Sequence, residues 1–140
     1  MTHIVLDTSV AVQWIVKQQS AELADELFLA GYSGQATLHV PALWLWECSN
    51  ALQKYSMAGW IEPTDMADHL RTLRYAQPTI DTLPDASRQA SWIELALQHK
   101  LTAYDASYLE LAIRRKAQLA TLDRKLRKAA VACQISCIEM

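Results

Sequence analysis

The sequence predicts an α/β domain with a mainly parallel central sheet covered by helices on both faces. Two patterns lead to this prediction: short, continuous apolar segments typical of buried strands, and amphipathic helical segments that alternate with them. The length of 140 residues fits one domain over residues 1–140, and no repeat or linker interrupts the sequence.

The expected strands are short, and turn residues or prolines bound most of them. The first ends at Asp7-Thr8-Ser9, Pro41 stops the second, and Pro78 and Pro84 bracket the third closely. The five expected strands are His3–Leu6, Ala36–Val40, Thr79–Leu83, Leu119–Leu122 and Ile135–Ile138.

The expected helices show 3.6-residue periodicity or recognisable start and stop residues. Asp7-Thr8-Ser9, Asp85 and Asp105 are expected to supply N-caps, and Gly31 and Gly59 to follow helix ends. In the fifth helix, Ala90, Ile93, Ala96 and Leu97 are expected to face inward. The seven expected helices are Val10–Val16, Ser20–Leu29, Ala42–Met57, Pro63–Tyr75, Ala86–His99, Ala106–Arg115 and Arg124–Ala130.

Composition excludes several classes of protein. No apolar run reaches the roughly 18 residues of a bilayer span, and the start of the chain lacks the basic and apolar regions of a signal peptide. Three cysteines in no zinc spacing indicate reduced thiols and a cytoplasmic protein. Three glycines leave no room for a glycine-rich phosphate loop. The four histidines form no catalytic pattern and are interpreted as surface or strand-end residues.

Basic residues are concentrated near the end of the sequence. Seven of the 13 Lys and Arg residues fall between Arg114 and Lys128, where the only acid is Asp123. Such a charge run is most often a solvated helix face. The alternative is a surface that binds a polyanion around Asp123.

Four carboxylates are placed where an α/β sheet builds its sites. Asp7 and Asp123 each follow a predicted strand and Asp105 begins a helix, so all three gather at the carboxyl edge of the sheet. Each alone is more commonly a helix N-cap. Glu47 lies inside a helix among bulky apolar neighbours, where burial of a free carboxylate is costly, although an exposed position on the outer face also fits.

Convergent carboxylates repel one another unless a cation lies between them. Their hard oxygen atoms suit one or two Mg²⁺ or Mn²⁺ ions, which can acidify a water and stabilise charge on a phosphodiester. The pattern therefore predicts hydrolysis of a phosphodiester by in-line attack. Asn50 shares the helix face of Glu47 and is placed to support it.

The same residues resemble a known family, the PIN-domain nucleases, and in particular VapC-type toxins of bacterial toxin–antitoxin pairs. The matching stretches follow in the family's order and span nearly the whole chain, whereas residues 57–100 match nothing specific. The stretches are Ile4–Ser9, Pro41 with Glu47 and Asn50–Leu52, Thr102–Ala112, and Leu119–Leu126.

The resemblance implies a three-layer α/β/α sandwich with an acidic site of Asp7, Glu47, Asp105 and Asp123. Asp7 and Asp105 would be the principal ligands of Mg²⁺ or Mn²⁺, and Glu47 and Asp123 would bind directly or through water. The supporting residues would be Thr8, Asn50 and Thr121. The family also implies endonucleolytic cleavage of RNA, a homodimer, and a small antitoxin protein that blocks the site.

Further expectations concern the substrate. Arg114, Arg115, Arg124 or Lys125 is expected to contact RNA phosphates beside the scissile bond. The aromatic residues Trp44, Trp46, Tyr104 and Tyr108 suit base stacking, but core packing or a subunit interface is the more usual role. No residue pattern identifies which RNA is cut.

Two other functions fit the sequence less well. A PIN module that binds RNA or protein without catalysis is disfavoured because all four acids are present. A phosphoacceptor signalling domain would need an acidic pair beside the first strand and a Lys after the last, and neither is found.

Overall fold

The computed structural model describes residues 1–17 and 21–140, and its centre is a sheet of four parallel strands. The strand order is β3-β2-β1-β4, so the first strand has a partner on each side. The strands are β1 (Thr2–Leu6), β2 (Ala36–Val40), β3 (Thr79–Ile80) and β4 (Gln118–Ala120).

Seven α-helices connect and follow these strands in the described ranges. Right-handed crossovers place the helices before β3 on one face and those between β3 and β4 on the other, which confirms the predicted α/β/α sandwich. The helices are α1 (Thr8–Ala11), α2 (Ala21–Tyr32), α3 (Leu43–Met57), α4 (Met66–Tyr75), α5 (Ala86–His99), α6 (Ala103–Arg115) and α7 (Arg124–Ala132). None of them is long and apolar enough to cross a membrane.

The core lies on both faces of the sheet. Leu6, Leu38 and Leu119 of the strands are at most 1% exposed, and burial of each such side chain contributes about 1.5–3 kcal/mol. Trp44 of α3 and Tyr108 of α6 are the largest fully buried side chains. Tyr108 and Trp44 therefore belong to the core, as the more usual role of such aromatic residues predicted.

Three of the expected strands are shorter in the structure. Leu119–Leu122 corresponds to β4, which begins one residue earlier and already ends at Ala120. Thr79–Leu83 keeps only Thr79 and Ile80 as a strand, and the last backbone contact with β2 is the hydrogen bond of 2.8 Å from the Asp81 N–H to the Val40 carbonyl. Ile135–Ile138 forms a single parallel bridge, between Cys137 and Leu119 of β4, rather than a strand. This bridge covers the outer edge of β4 with backbone hydrogen bonds of 2.8 and 3.0 Å.

The first two helices also differ from expectation. The expected helix Val10–Val16 is confirmed in part: α1 begins two residues earlier at Thr8, continues as a 3₁₀ turn over Val12–Trp14, and ends before Ile15 and Val16. Gly31 lies inside α2 rather than beyond its end. A glycine fits this position because a Cβ atom would lie 2.4 Å from the Ala76 carbonyl oxygen. The expected helix start at Ser20 lies outside the described residues.

The inward face of α5 was also predicted wrongly. Ala90 is exposed, and Ile93 and Leu97 are 49% and 78% exposed. Trp92 and Leu95 pack against the core instead, together with Ala96, the one member of the predicted set that does so. Two stripes of apolar residues run along α5, and the stripe that carries Trp92 is the one that is buried where α5 packs against α6.

Two of the histidines form a pair across the sheet. Nδ1 of His3 on β1 lies 2.9 Å from Nε2 of His39 on β2. His39 is only 7% exposed and lies one residue before the end of β2, so it is a strand-end residue, one of the two positions expected for the histidines, and not a surface residue. Burial, followed by the charges of His3 and Arg115, lowers the pKa of His39 below its usual value of 6.5.

Candidate active site

Asp7 is the most firmly held of the four acids. Its backbone N–H donates to the Ala120 carbonyl at 3.0 Å, which fixes it just beyond the end of β1. Its carboxylate Oδ2 accepts hydrogen bonds from Thr121 Oγ1 at 2.6 Å and Ser9 Oγ at 2.8 Å. Asp7 is the N-cap residue of α1, as expected of the segment Asp7-Thr8-Ser9, but its side chain makes no capping hydrogen bond and is held by these hydroxyls instead.

The environment of Asp7 makes its negative charge costly. The residue is 7% exposed, and burial raises its pKa above the usual value of 3.8. The hydroxyls of Thr121 and Ser9 lower the pKa in part, whereas the charge of Glu47 raises it again. Asp7 is thus a buried carboxylate beside a second carboxylate, an arrangement that favours a bound cation.

Glu47 is oriented by two hydroxyl groups. The Tyr108 hydroxyl donates to Glu47 Oε1 at 2.5 Å, and Thr8 Oγ1 donates to the same oxygen at 3.3 Å. The two hydroxyls lie 3.0 Å apart. Burial is the main cause that raises the pKa of Tyr108 far above its usual range, so the phenol stays protonated and remains a donor. Asn50 is exposed further along α3, and no hydrogen bond joins it to Glu47 in the described residues.

Asp105 lies in the first turn of α6. The helix begins at Ala103, and Thr102 Oγ1 accepts from the Asp105 backbone N–H at 3.1 Å, so Thr102 is the N-cap. The expected capping role of Asp105 was wrong for this reason, and its carboxylate is left for other contacts. Burial raises the pKa of Asp105, and the charges of Asp123 and Asp7 raise it further.

Asp123 is exposed and is the N-cap of α7, with Oδ1 accepting from the Leu126 backbone N–H at 3.0 Å. Its own N–H donates to Thr121 Oγ1 at 3.0 Å. Thr121 is fully buried, and its hydroxyl therefore connects Asp7 with the segment that carries Asp123.

The four acids form one electrostatic neighbourhood. The pKa of Asp7 responds to the charge of Glu47, and that of Asp105 to the charges of Asp123 and Asp7. Within residues 1–17 and 21–140, no three Asp, Glu, His or Cys side chains converge as closely as a complete metal site requires. The oxygen donors and their mutual repulsion suit a hard divalent cation.

The four basic residues that were expected to contact RNA divide into two groups. Arg114 binds Asp81 at 2.5 Å and Glu110 at 2.9 Å, and Arg115 lies 3.6 Å from Asp81. Arg124 and Lys125 are exposed in the first turn of α7, directly after Asp123. The charge of Lys125 is one cause that lowers the pKa of Asp105, although burial and the neighbouring acids raise it overall.

Sequence reasoning missed three residues that shape the site: Ser9, Thr102 and Tyr108. Each carried a signal. Ser9 follows Asp7 by two positions, and Thr102 precedes Asp105 by the three positions of a side-chain cap. Tyr108 follows Asp105 by one helical turn, which puts both side chains on the same side of α6.

Comparison with known proteins places this geometry in a family. Residues 4–132 match the family model of the PIN domain. The chain is 28% identical over 123 residues to Ribonuclease VapC3 of Pyrobaculum aerophilum, an alignment that covers 88% of this chain and 91% of the relative.

Solved structures share the fold. PAE2754 from Pyrobaculum aerophilum superposes with a TM-score of 0.69 at 23% identity, over 91% of this chain and 86% of the other. VapBC2 from Rickettsia felis, bound to a DNA fragment from its promoter, gives 0.63 at 18% identity over 91% and 92%. FitAcB from Neisseria gonorrhoeae gives 0.56 at 17% identity over 97% and 96%. Since the family model spans the sheet and all four acids, the chain belongs to the PIN domain family, as the resemblance in its sequence predicted.

Proposed function

We propose that this protein is a divalent-metal-dependent endoribonuclease and the toxin of a toxin–antitoxin pair. One observation supports this most: Asp7, Glu47, Asp105 and Asp123 share one electrostatic neighbourhood, in which burial and the charge of neighbouring carboxylates raise the pKa values of Asp7 and Asp105. The similarity to Ribonuclease VapC3 supports RNA as the substrate. We infer that residues 1–140 act as a single PIN domain.

Asp7 and Asp105 are the proposed principal ligands of Mg²⁺ or Mn²⁺, with Glu47 and Asp123 binding directly or through water. One or two such ions would supply charge neutralisation at the phosphate and a more acidic water. Hard carboxylate oxygens without a His–Cys set suit these ions better than zinc.

The protein's own groups set the geometry of the reaction. Thr121 and Ser9 hold Asp7 in one orientation, and Tyr108 and Thr8 do the same for Glu47. Carboxylates held in this way would bind a cation without rearrangement, and the cation would neutralise negative charge that develops on the phosphodiester.

Substrate and partners follow from the same proposal. Arg124 and Lys125 are placed to contact phosphates beside the scissile bond, whereas Arg114 and Arg115 must release Asp81 to do so. The VapBC2 and FitAcB neighbours support a small antitoxin protein as the partner. A homodimer and action in the cytoplasm on cellular RNA complete the proposal.

The test is cleavage of total RNA by purified protein freed of any partner by denaturation and refolding. Wild type with Mn²⁺ should give discrete fragments, and EDTA or Asp105→Asn should abolish them. Asp65→Asn, an exposed Asp in the turn before α4, is the matched control and should cut normally. RNA binding without cleavage under every metal condition would instead establish a non-catalytic module.

A further inference from the structure

A cavity of about 250 Å³ lies against α3 and α6, the two helices that carry Glu47 and Asp105. Its walls come from the carboxyl ends of β2 and β3, the first turns of α3 and α6, and the middle of α5. Most of the surface is apolar, with Trp92 and Tyr104 as the aromatic contributors.

The cavity and the acidic site share two helices. On α6, Tyr104 and Ser107 line the cavity. The residue that follows each of them, Asp105 and Tyr108 respectively, belongs to the acidic site. Consecutive residues of a helix are about 100° apart, so these are neighbouring faces of one turn. On α3, Leu43 lines the cavity one turn before Glu47. A group in the cavity is therefore held next to the acids.

The floor of the cavity is charged but internally paired. Arg114 binds Asp81 and Glu110, and Arg88 binds Asp81 at 3.1 Å and the Thr82 carbonyl at 2.7 Å. Burial alone would raise the pKa of Asp81, yet the hydrogen bonds and charges of Arg114 and Arg88 hold it below its usual value. Because these ions satisfy one another, the cavity does not require a charged ligand.

The mouth of the cavity suits a flat ring. Tyr104 is 62% exposed at its rim, directly before Asp105 in the chain, and Trp92 of α5 is half-buried in its wall. Single-stranded nucleic acid presents aromatic bases that stack on such side chains, and its unstacked bases can be turned out of the strand. A base in the cavity would leave its phosphate close to the carboxylates.

We propose that this cavity binds one base of single-stranded RNA, from a nucleotide that flanks the scissile phosphodiester; the inference rests on the proposed function. Recognition is by stacking and shape, because the polar groups of the floor already have partners. The site therefore fixes the position of the strand more than its sequence.

The experiment measures binding without cleavage. Asp105→Asn protein is titrated with a short single-stranded RNA in which one abasic nucleotide is moved along the strand. We expect one abasic position to weaken binding about tenfold, as loss of one stacked base does. Adding Ala103→Phe, which fills the cavity, or Tyr104→Ala should remove that position dependence. Tyr104→Phe should retain it.

Ala90→Phe is the matched control, since it adds the same ring at an exposed position of α5 outside the cavity. The cavity proposal is overturned if no abasic position weakens binding, or if the position effect is unchanged in both Ala103→Phe and Tyr104→Ala. A cavity that accepts a side chain of a partner protein instead of a base would give one of these results. The proposed function fails separately if wild type binds RNA with the position effect but never cuts it. Failure to bind RNA at all overturns both.

Discussion

The Tyr108 hydroxyl lies 2.5 Å from Glu47 Oε1 and donates a hydrogen bond that joins α6 to α3. The phenol is fully buried and Glu47 is half-buried, so the contact is shielded from water. Tyr108 is thus a positioning residue for a carboxylate of the candidate site.

Tyr108→Phe tests this role. The ring still fills its place in the core, so the loss of unfolding free energy should be about 1.5–3 kcal/mol, as for a hydrogen bond to a charged group. We expect kcat for RNA cleavage to fall about tenfold, or 1.4 kcal/mol, with KM little changed. Thr8→Val, which removes the longer bond of 3.3 Å, should have a smaller effect. Equal kcat in Tyr108→Phe and wild type would refute the positioning role.

Asp105→Asn should change stability in opposite directions with and without metal. The folded-state pKa of Asp105 is raised, so its ionised form destabilises the fold, and stability falls as pH rises through that pKa. In EDTA at neutral pH the variant should melt at a higher Tm than wild type, and the difference should vanish below the usual pKa of 3.8. Mn²⁺ should raise the Tm of wild type more than that of the variant. Asp65→Asn is the control; identical Mn²⁺ responses in all three proteins would contradict a metal site.

Arg124→Gln with Lys125→Gln should weaken RNA binding, because the two side chains no longer neutralise phosphates. The slope of log affinity against log salt should fall by about 0.7 for each phosphate of a single strand that is no longer neutralised. Folding stability should not change, because both side chains are exposed. A salt dependence equal to that of wild type would exclude these residues from the RNA interface.

Arg114→Gln should act on the fold instead. It leaves Asp81 and Glu110, whose side chains are 6% and 8% exposed, with fewer partners. Breaking a fully buried ion pair lowers the free energy of unfolding by about 3–5 kcal/mol. The loss here should be smaller, because the side chain of Arg114 is itself 32% exposed. Urea unfolding measures it. An unchanged midpoint would show that the ion pairs contribute little.

His39 should make the fold sensitive to mild acid. Its folded-state pKa lies below the usual 6.5, so the unfolded chain takes up a proton first as pH falls, and stability is lost below about pH 6.5. Urea unfolding at pH 7.5 and 5.5 should show a smaller loss in His39→Gln than in wild type. His69→Gln on α4 is the control. A pH response shared by all three proteins would assign it to other groups.

Gly31→Ala should destabilise strongly. The new Cβ would lie 2.4 Å from the Ala76 carbonyl oxygen and 2.6 Å from Leu38 Cδ1, so backbone must move, and overpacking of this kind costs about 1–3 kcal/mol. Gly34→Ala meets no neighbour and bears only the strain of a φ of +80°. In thermal unfolding, Gly31→Ala should have a lower Tm than Gly34→Ala. A higher Tm for Gly31→Ala would show that α2 can shift to accept the new methyl group.

Much of the site followed from local sequence. Asp7 was placed correctly at the end of a strand, because apolar runs with a polar stop mark strand ends in parallel sheets. Asp123 was expected directly after a strand but lies three residues beyond the end of β4 at Ala120. An N-cap role was the more common alternative for Asp123, and the structure shows it at the start of α7. Asp105 was located within one turn, but its capping role was assigned without considering Thr102.

Other features depended on contacts far apart in the chain. The basic residues around Arg114 suggested an RNA surface, yet Asp81, 33 positions away, binds that guanidinium. Charge pattern alone does not reveal such a partner. The inward stripe of α5 was likewise decided by its packing against α6, and two stripes of similar apolar content do not separate by periodicity.

The hydrogen bond from Thr121 to Asp7 spans 114 positions, and β1 pairs with β4 over a similar separation. A ribosome that adds 5–20 residues per second reaches Thr121 roughly 6 to 23 s after Asp7. Throughout that interval the nascent chain has Asp7 and Ser9 but neither Thr121 nor Asp123. The proposed nuclease would therefore lack part of its site for most of the time in which its 140 residues are added at the ribosome.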